Sequence, residues 1–396
     1  GALTRPAGAC QLGAAAVCPD HSMTALASPA TPPHLLACTA ADLERYAAAR
    51  GFAAARGRDL FTAVFARRMR DLSELEAVPK ALRRAVMADF ATWRPQVLQR
   101  QVSRDGTRKY QFQSPDGVLF EAVYIPEVAV TGKTNALCIS SQSGCAVGCK
   151  FCFTASLRRN RDLSVAEIVG QVLQVRDDVA HLGPRAQVTN IVFMGMGEPL
   201  LNYDNVIMAA RLLLDPRGVG ISKRRMTVST SGIVPRIYDL GRDLPVTLAI
   251  SLNASCDAVR TEIMPINKKW PIGTLLQALR DYPLPARRRF TIEYVLLGGV
   301  NDSREDAERL AELLTGIPVK INLLPLNPHD RTLYVPPSPE RVAAFQETLW
   351  RAGYKALMRA PRGQDIAAAC GQLGEVAAHR RSGMIRSDTS APRSRP

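Results

Sequence analysis

The sequence predicts an α/β protein with a mainly parallel sheet, either doubly wound or curved into an incomplete barrel. From about residue 135 onward, six short apolar segments alternate with six helical patterns, as expected for successive β-α units. A chain of 396 residues is also long enough to bury a large core. In both arrangements ligands bind at the carboxyl ends of the parallel strands, so function is expected in the loops that follow them.

The predicted elements follow one another along the chain. Strands are expected at residues 136–140, 188–194, 226–230, 246–252, 290–296 and 319–324. Helices are expected near residues 164–180, 203–214, 233–240, 271–281, 303–314 and 338–352.

Changes in composition predict five segments. They are a disordered extension at 1–38, a basic helical domain at 39–98, a β-hairpin and linker at 99–130, a core at 131–374 and a disordered basic tail at 375–396. The first segment is rich in Ala, Pro, Thr and Ser, which disfavours a packed core. The second has helical periodicity at 42–50, 56–68 and 79–90, with Thr39 or Asp42 as the first cap. Its arginines form either a nucleic-acid surface or an ordinary solvated face.

The charge balance indicates a polyanionic partner. Lys and Arg number 51 against 36 Asp and Glu, which gives a net charge of +15. This excess favours RNA or DNA over a membrane surface, and the alternative is the general bias of a basic proteome. No apolar run approaches the roughly 18 residues of a membrane span. The nine cysteines, without a secretory signal pattern, favour a reducing cytoplasm.

Three cysteines, Cys145, Cys149 and Cys152, follow the first predicted core strand on one loop. Their C-x3-C-x2-C spacing suits three ligands of a [4Fe–4S] cluster and leaves the fourth iron open. An open iron can chelate the amine and carboxylate of S-adenosylmethionine and pass it an electron. A structural zinc site would require a fourth Cys or His nearby, and the nearest histidine is His181, beyond the next predicted helix. The spacing therefore favours the cluster.

Small polar residues end the other predicted strands. Gly197 and Glu198 form a turn after the second strand, where the carboxylate can accept a hydrogen bond from an ammonium group. Later strand ends supply Ser229, Ser251, Leu252, Asn253 and Asn327. Each of these taken alone is equally typical of ordinary turn chemistry.

Two candidates lie outside these strand ends. Glu121 is the only carboxylate on an apolar face of the predicted hairpin. Cys370 lies among small residues near the chain end and is either a buried structural thiol or a nucleophile on a flexible segment.

In combination, these motifs resemble the RlmN/Cfr family of radical S-adenosylmethionine RNA methyltransferases over residues 42–374. The shared motifs occur in the same order, as SSQSGCAVGCKFC, FMGMGEPLLN, STSGIVP, MPINKKWPI, GVNDS and AACGQL. The resemblance implies an incomplete (β/α)6 radical SAM barrel with a small N-terminal helical accessory domain that binds RNA.

The resemblance also implies a role for each candidate residue. Cys145, Cys149 and Cys152 match the cluster ligands. The positions that match S-adenosylmethionine contacts are Gly197, Glu198, Ser229, Ser251, Leu252, Asn253 and Asn327. Cys370 matches a cysteine that becomes methylated, Cys138 matches the cysteine that forms a transient disulfide with it, and Glu121 matches the proton acceptor.

The implied reaction uses two molecules of S-adenosylmethionine per turnover. One methylates Cys370, and the other yields a 5′-deoxyadenosyl radical that takes a hydrogen from the S-methyl group. The resulting carbon radical adds to adenine, Glu121 removes the ring proton, and Cys138 attacks Cys370 to release the product. The implied partners are 23S ribosomal RNA, tRNA and a low-potential electron donor of the flavodoxin or ferredoxin kind, with the enzyme acting as a monomer.

Branch-specific residues favour the RlmN branch, which methylates C2 of adenine. Pro199 after Glu198, the motif at 229–232 and Arg362 before Gly363 match that branch. Two departures are Asn253 in place of a usual His and Phe153 in place of a usual Ala. The alternatives are the same mechanism at C8 or on another RNA, a radical enzyme with a different substrate, and a non-catalytic RNA-binding protein with a structural metal.

Overall fold

One mixed sheet organises the residues that this computed structural model describes, which are 32–127, 134–157 and 160–374. Its ten strands are β1 (Gln96–Val102), β2 (Arg108–Gln113), β3 (Leu119–Ile125), β4 (Ala136–Cys138), β5 (Asn190–Phe193), β6 (Met226–Thr230), β7 (Thr247–Ser251), β8 (Phe290–Leu296), β9 (Val319–Pro325) and β10 (Ala356–Met358). They lie side by side in sequence order, antiparallel from β1 to β4 and parallel from β4 to β10. A doubly wound sheet reverses its strand order at a switch point. The strands here keep their sequence order throughout, so of the two predicted arrangements the sheet is the incomplete barrel.

The helices connect and cover these strands. In the described residues they are α1 (Ala40–Ala48), α2 (Ala55–Phe65), α3 (Lys80–Asp89), α4 (Val165–Ala180), α5 (Tyr203–Leu214), α6 (Val234–Asp243), α7 (Asp257–Ile263), α8 (Ile272–Asp281), α9 (Arg304–Leu313) and α10 (Pro339–Arg351). None of them is long and apolar enough to cross a membrane.

The first three helices confirm the predicted helical segment and its first cap. Thr39 and Asp42 form a reciprocal capping box at the start of α1, because each side chain accepts a hydrogen bond from the other residue's backbone amide. The described residues from Pro33 onward belong to one compact unit, so these helices pack on the core. Asp177 in α4 helps to hold them by pairing with Arg68 at 2.7 Å and Arg94 at 3.2 Å.

The structure differs from the sequence prediction in several places, which include the unpredicted helix α7. The expected disorder over 1–38 is wrong at its end, because Leu35–Ala37 forms a 3-10 turn in which Leu35 and Leu36 are buried. The predicted hairpin is instead three strands, β1 to β3. The extra strand, β1, crosses the boundary predicted between the helical segment and the linker. The short strand β10 was not predicted. Residues 1–31 and the predicted tail at 375–396 lie outside the described residues.

The two faces of β2 and β3 differ in chemistry. One face is apolar and carries Tyr110, Phe112 and Phe120 into the main core, where the Tyr110 hydroxyl donates to Asp178 at 2.7 Å. The opposite face carries Glu121, which is fully buried, directly across from Gln111. A sheet with one apolar and one polar face is expected to pack its apolar face on the core and use the other for different contacts.

Candidate active site

The carboxyl ends of the parallel strands open into a single cavity. Its lining includes Cys145 after β4, Glu198 after β5, Ser229 in β6, Ser251 in β7, Glu293 in β8 and Asn327 after β9. Six flat strands at about 4.8 Å spacing would spread these residues over roughly 24 Å. The sheet must therefore curve around the cavity, as an incomplete barrel does.

The three predicted cluster cysteines line this cavity together. Burial raises the pKa of the Cys149 thiol, and the neighbouring Cys152 and Cys145 raise it further, which shows that the three groups share one electrostatic site. Within the described ranges, no three His, Cys, Asp or Glu side chains converge closely enough to hold a single metal ion. Three sulfur donors on one loop that lines a cavity are the donor set of an iron–sulfur cluster with one open iron, so these residues fit that group.

Glu198 is buried behind the cysteine loop and fixed by hydrogen bonds. Its carboxylate accepts from the Ser231 backbone amide and hydroxyl, both at 2.7 Å, and from the Leu200 amide at 3.1 Å. Burial raises the pKa of the Glu198 carboxyl, while the bonds from Ser231 oppose that rise. A carboxylate held this way presents a fixed acceptor to the cavity.

Gly197 combines a position in the cavity lining with a tight backbone packing that only glycine allows. It has a φ of +98°, and an added Cβ would lie 2.5 Å from the Cβ of Gln142. The neighbouring Gly195 similarly faces the Ile139 carbonyl at 2.6 Å. These glycines allow the turn to pack on the cysteine loop, and Gly197 and Gly195 also line the cavity.

The structure brings most of the predicted strand-end residues to the cavity. The Ser229 and Ser251 hydroxyls are 3.5 Å apart, and the Asn327 amide donates to the Cys370 carbonyl at 3.1 Å. Leu252 is different, because its side chain is fully buried outside the cavity lining and its backbone pairs with Glu293.

Asn253, which replaces the usual histidine, lines the cavity in a left-handed conformation with a φ of +59°. Its side-chain oxygen accepts from the Val295 amide at 2.8 Å, and its amide donates to the Met264 sulfur at 3.1 Å. Asparagine tolerates this conformation well and fixes the loop by these two bonds.

Cys370 faces the same cavity from the chain's last described segment. It is solvent-accessible, yet the surrounding protein raises the pKa of its thiol, and Glu293 adds to that rise. The Phe153 amide donates to the Gly371 carbonyl at 2.7 Å, which joins this segment to the cysteine loop. Cys370 is therefore exposed at the cavity and not buried in the core, while its predicted role as a nucleophile stays a prediction.

Cys138 and Glu121 lie on the same side of the sheet as this segment. Cys138 is buried at the end of β4, where burial and the nearby Cys370 both raise the pKa of its thiol. Glu121 accepts a hydrogen bond from the Gly374 amide at 2.9 Å. All three of these predicted catalytic residues are thus brought together around residues 370–374.

Arg260 was missed by the sequence analysis. Its side chain is fully buried and donates to two strand-end acceptors, the Ser231 carbonyl at 2.6 Å and the Leu252 carbonyl at 2.9 Å, and to the Asn267 side chain at 2.9 Å in the turn after α7. Its positive charge also opposes the rise in the pKa of Cys149, so it acts on a predicted cluster ligand. The only sequence feature that pointed to this region was the motif MPINKKWPI, which contains Asn267, one of the acceptors of Arg260.

The fold and its cysteine-lined cavity define a radical SAM protein. The Radical SAM superfamily matches residues 139–314. A crystal structure of a radical SAM methyltransferase from Sphaerobacter thermophilus superposes with a TM-score of 0.80 at 39% identity, covering 87% of this chain and 99% of that chain.

Two sequence relatives narrow this class. The dual-specificity RNA methyltransferase RlmN of Syntrophobacter fumaroxidans is 46% identical over 335 residues, covering 85% of this chain and 96% of the relative. The protein of the same name from Geobacter sulfurreducens is 47% identical over 345 residues, covering 86% and 92%. The chain belongs to the RlmN family of radical SAM methyltransferases. This family implies a [4Fe–4S] cluster and S-adenosylmethionine as cofactors.

Proposed function

We propose that this protein methylates C2 of adenine in 23S ribosomal RNA and in tRNA, through a methylated Cys370. The observation that carries the proposal is the hydrogen bond from Phe153 to Gly371, which holds the Cys370 segment against the predicted cluster loop. A thiol beside the source of a radical suits a methyl group that is first stored on sulfur and then activated. The RlmN relatives, dual-specificity RNA methyltransferases by name, support the same substrate class.

Cys145, Cys149 and Cys152 would hold the cluster, and the polar strand ends would hold S-adenosylmethionine. When bound, the cluster supplies the electron that cleaves S-adenosylmethionine. Each turnover uses two molecules of S-adenosylmethionine. Glu198 is fixed by Ser231 so that its carboxylate can accept the ligand's ammonium group. Ser229, Ser251, Asn253 and Asn327 line the remaining wall, whereas Leu252 can contribute only through its backbone.

The remaining chemistry falls to the chain's own side chains. Cys370 accepts the methyl group on its sulfur because it faces the cavity. Glu121 takes the proton from the adenine ring, and its contact with Gly374 keeps the carboxylate beside the Cys370 segment. Cys138 is close enough to Cys370 for their charges to interact, which suits attack on the adduct and formation of a transient disulfide.

The remaining partners follow from the same proposal. We infer that the helical segment at 39–98 contacts the RNA, since the chain's net charge of +15 favours a polyanion. A flavodoxin-like or ferredoxin-like electron donor, a monomeric state and a cytoplasmic location stay predictions.

Anaerobic reconstitution with iron, sulfide and a reductant tests the function directly. Unmethylated ribosomal RNA should gain 2-methyladenosine, measured by nucleoside mass spectrometry, and peptide mass spectrometry should find a methyl group on Cys370. Cys370→Ala should abolish both signals, whereas Cys256→Ala, a cysteine outside the cavity lining, should retain them. Turnover by Cys370→Ala would refute the methyl-cysteine route, and 8-methyladenosine would refute the assignment to C2.

A further inference from the structure

Gln111 lies at a buried position where no described group satisfies its amide. The residue is 3% exposed, and neither its side-chain oxygen nor its side-chain nitrogen has a hydrogen-bond partner. Burying an amide without partners is costly, and native proteins rarely retain such a group without a use for it. Met or Leu would fill the same volume without that cost, so the amide indicates a partner other than the described residues.

The register of the sheet places this amide beside the predicted proton acceptor. Gln111 in β2 is directly opposite Glu121 in β3, and directly opposite residues of an antiparallel pair share one face. The next row on this face runs from Lys109 to Val123 and on to Cys138. Gln111 therefore belongs to the face that holds two of the three predicted catalytic side chains.

The Cys370 segment covers this face in the structure. The Lys109 ammonium donates to the Ala367 carbonyl at 3.0 Å, and Glu121 accepts from the Gly374 amide at 2.9 Å. These two anchors lie on either side of Cys370 in the sequence, and Gln111 adjoins both anchoring residues, two positions from Lys109 in β2 and directly opposite Glu121 in β3. A flat ligand that reached Gln111 would therefore lie between the sheet and the Cys370 segment, with Glu121 at its edge.

We propose that Gln111 binds the Watson–Crick edge of the target adenine, donating to N1 and accepting from the N6 amino group; this inference rests on the proposed function. A glutamine amide carries one donor and one acceptor side by side, which is the pattern that an adenine edge complements. Proteins read unpaired RNA bases through such edge contacts. C2 is adjacent to N1 in the ring, so this pairing directs C2 toward the neighbouring Glu121 and selects C2 over C8.

A substrate swap combined with a side-chain swap tests the contact. RNA with purine riboside at the target position retains C2 and N1 but lacks the N6 amino group. Wild-type enzyme should lose about tenfold in kcat/KM on that RNA, as expected for one lost base contact. Gln111→Met should lose about tenfold or more on adenosine RNA and show no further loss on purine riboside RNA, because the contact is already absent.

Matched variants separate this role from a structural one. Gln113→Met, in the same strand and on the same face, should keep wild-type kcat/KM on both RNAs. Gln111→Glu, which retains the shape but cannot donate when ionised, should lose activity like Gln111→Met. Methylation of Cys370 without RNA should stay at the wild-type rate in each variant, and the melting temperature of Gln111→Met should not fall.

Two outcomes would overturn the inference. One is full activity of Gln111→Met on adenosine RNA, and the other is that Gln111→Met and purine riboside each lower kcat/KM independently of the other. Either result would mean that Gln111 does not contact the base and that its amide binds only buried water. Absence of methylation by the wild-type enzyme on adenosine RNA would refute the proposed function itself, which is a different result from activity that is insensitive to Gln111.

Discussion

Asp105 and Arg362 form a salt bridge of 2.7 Å that joins the turn between β1 and β2 to the start of the Cys370 segment. The same carboxylate accepts from the Gly363 amide at 3.1 Å. Close by in both parts of the chain, the Ser103 hydroxyl donates to Asp365 at 2.6 Å. The turn and this segment are therefore joined along their length, although more than 250 residues separate them in sequence.

Arg362→Met should loosen the Cys370 segment without unfolding the protein. The salt bridge is partly exposed, so we expect the free energy of unfolding to fall by less than about 1 kcal/mol. Methyl transfer to Cys370 should slow by about fivefold, the equivalent of roughly 1 kcal/mol of lost positioning. Quantitative mass spectrometry of Cys370 over time measures this rate. Arg236→Met, which breaks a distant surface pair with Asp239, should leave it unchanged.

Gly197→Ala should destabilise the turn between β5 and the cavity. The new Cβ would lie 2.5 Å from Gln142 at a φ of +98°, whereas Gly183 has a φ of +99° with open space around it. Gly183→Ala therefore carries the backbone strain alone, and Gly197→Ala should cost about 2 kcal/mol more because of the clash. Urea unfolding of both variants measures the difference. Equal losses would show that the turn relaxes freely.

Arg260→Met should be one of the more damaging single substitutions in the core. It would leave the Ser231 and Leu252 carbonyls without their donor, and we expect a loss of about 3 kcal/mol in the free energy of unfolding. Arg242→Met, which removes an exposed ion pair with Asp239, should cost less than about 1 kcal/mol. Similar losses for both variants would contradict the role of Arg260 as a buried strap between strand ends.

His34 should make stability fall in mild acid. Burial lowers the pKa of His34 from 6.5 to about 4, and the neutral ring accepts from the Leu36 amide at 3.0 Å. Its contribution to stability is therefore full above pH 6.5 and is lost as pH falls through 4. Between pH 7.5 and pH 5 this loss is at most about 2 kcal/mol.

Thermal unfolding at both pH values tests this prediction. His34→Gln should flatten the pH dependence, and the exposed His181→Gln should preserve it. A pH dependence that is the same in wild type and His34→Gln would assign the effect to other groups.

Strands buried on both faces were the most predictable part of the fold. β5 to β9 were expected because short continuous apolar runs between helical patterns are typical of the strands of a covered parallel sheet. β1 was missed because its sequence, QVLQRQV, lacks a regular alternation of polar and apolar residues, and β10 because it has only three residues.

The part of the site that was predictable is the part in which residue type and spacing indicate the chemistry. The cysteine triplet and Glu198 could be placed on adjacent strand ends from the sequence alone. Arg260 and Gln111 could not be found in this way, because a charged or amide side chain carries no sign in the sequence that it will be buried. The burial of the Leu252 side chain outside the cavity lining could not be predicted either, since a motif position does not reveal which way its side chain points.

The sequence-ordered pairing of the strands also has a consequence for biosynthesis. Each strand from β2 onward adds to the one made just before it, so the sheet can grow from its β1 edge while the chain leaves the ribosome. The loop with Cys145 is completed early in this sequence, whereas Cys370 emerges only after β10. During that interval the cysteine loop is accessible from the unfinished side of the sheet, before the last segment closes over it.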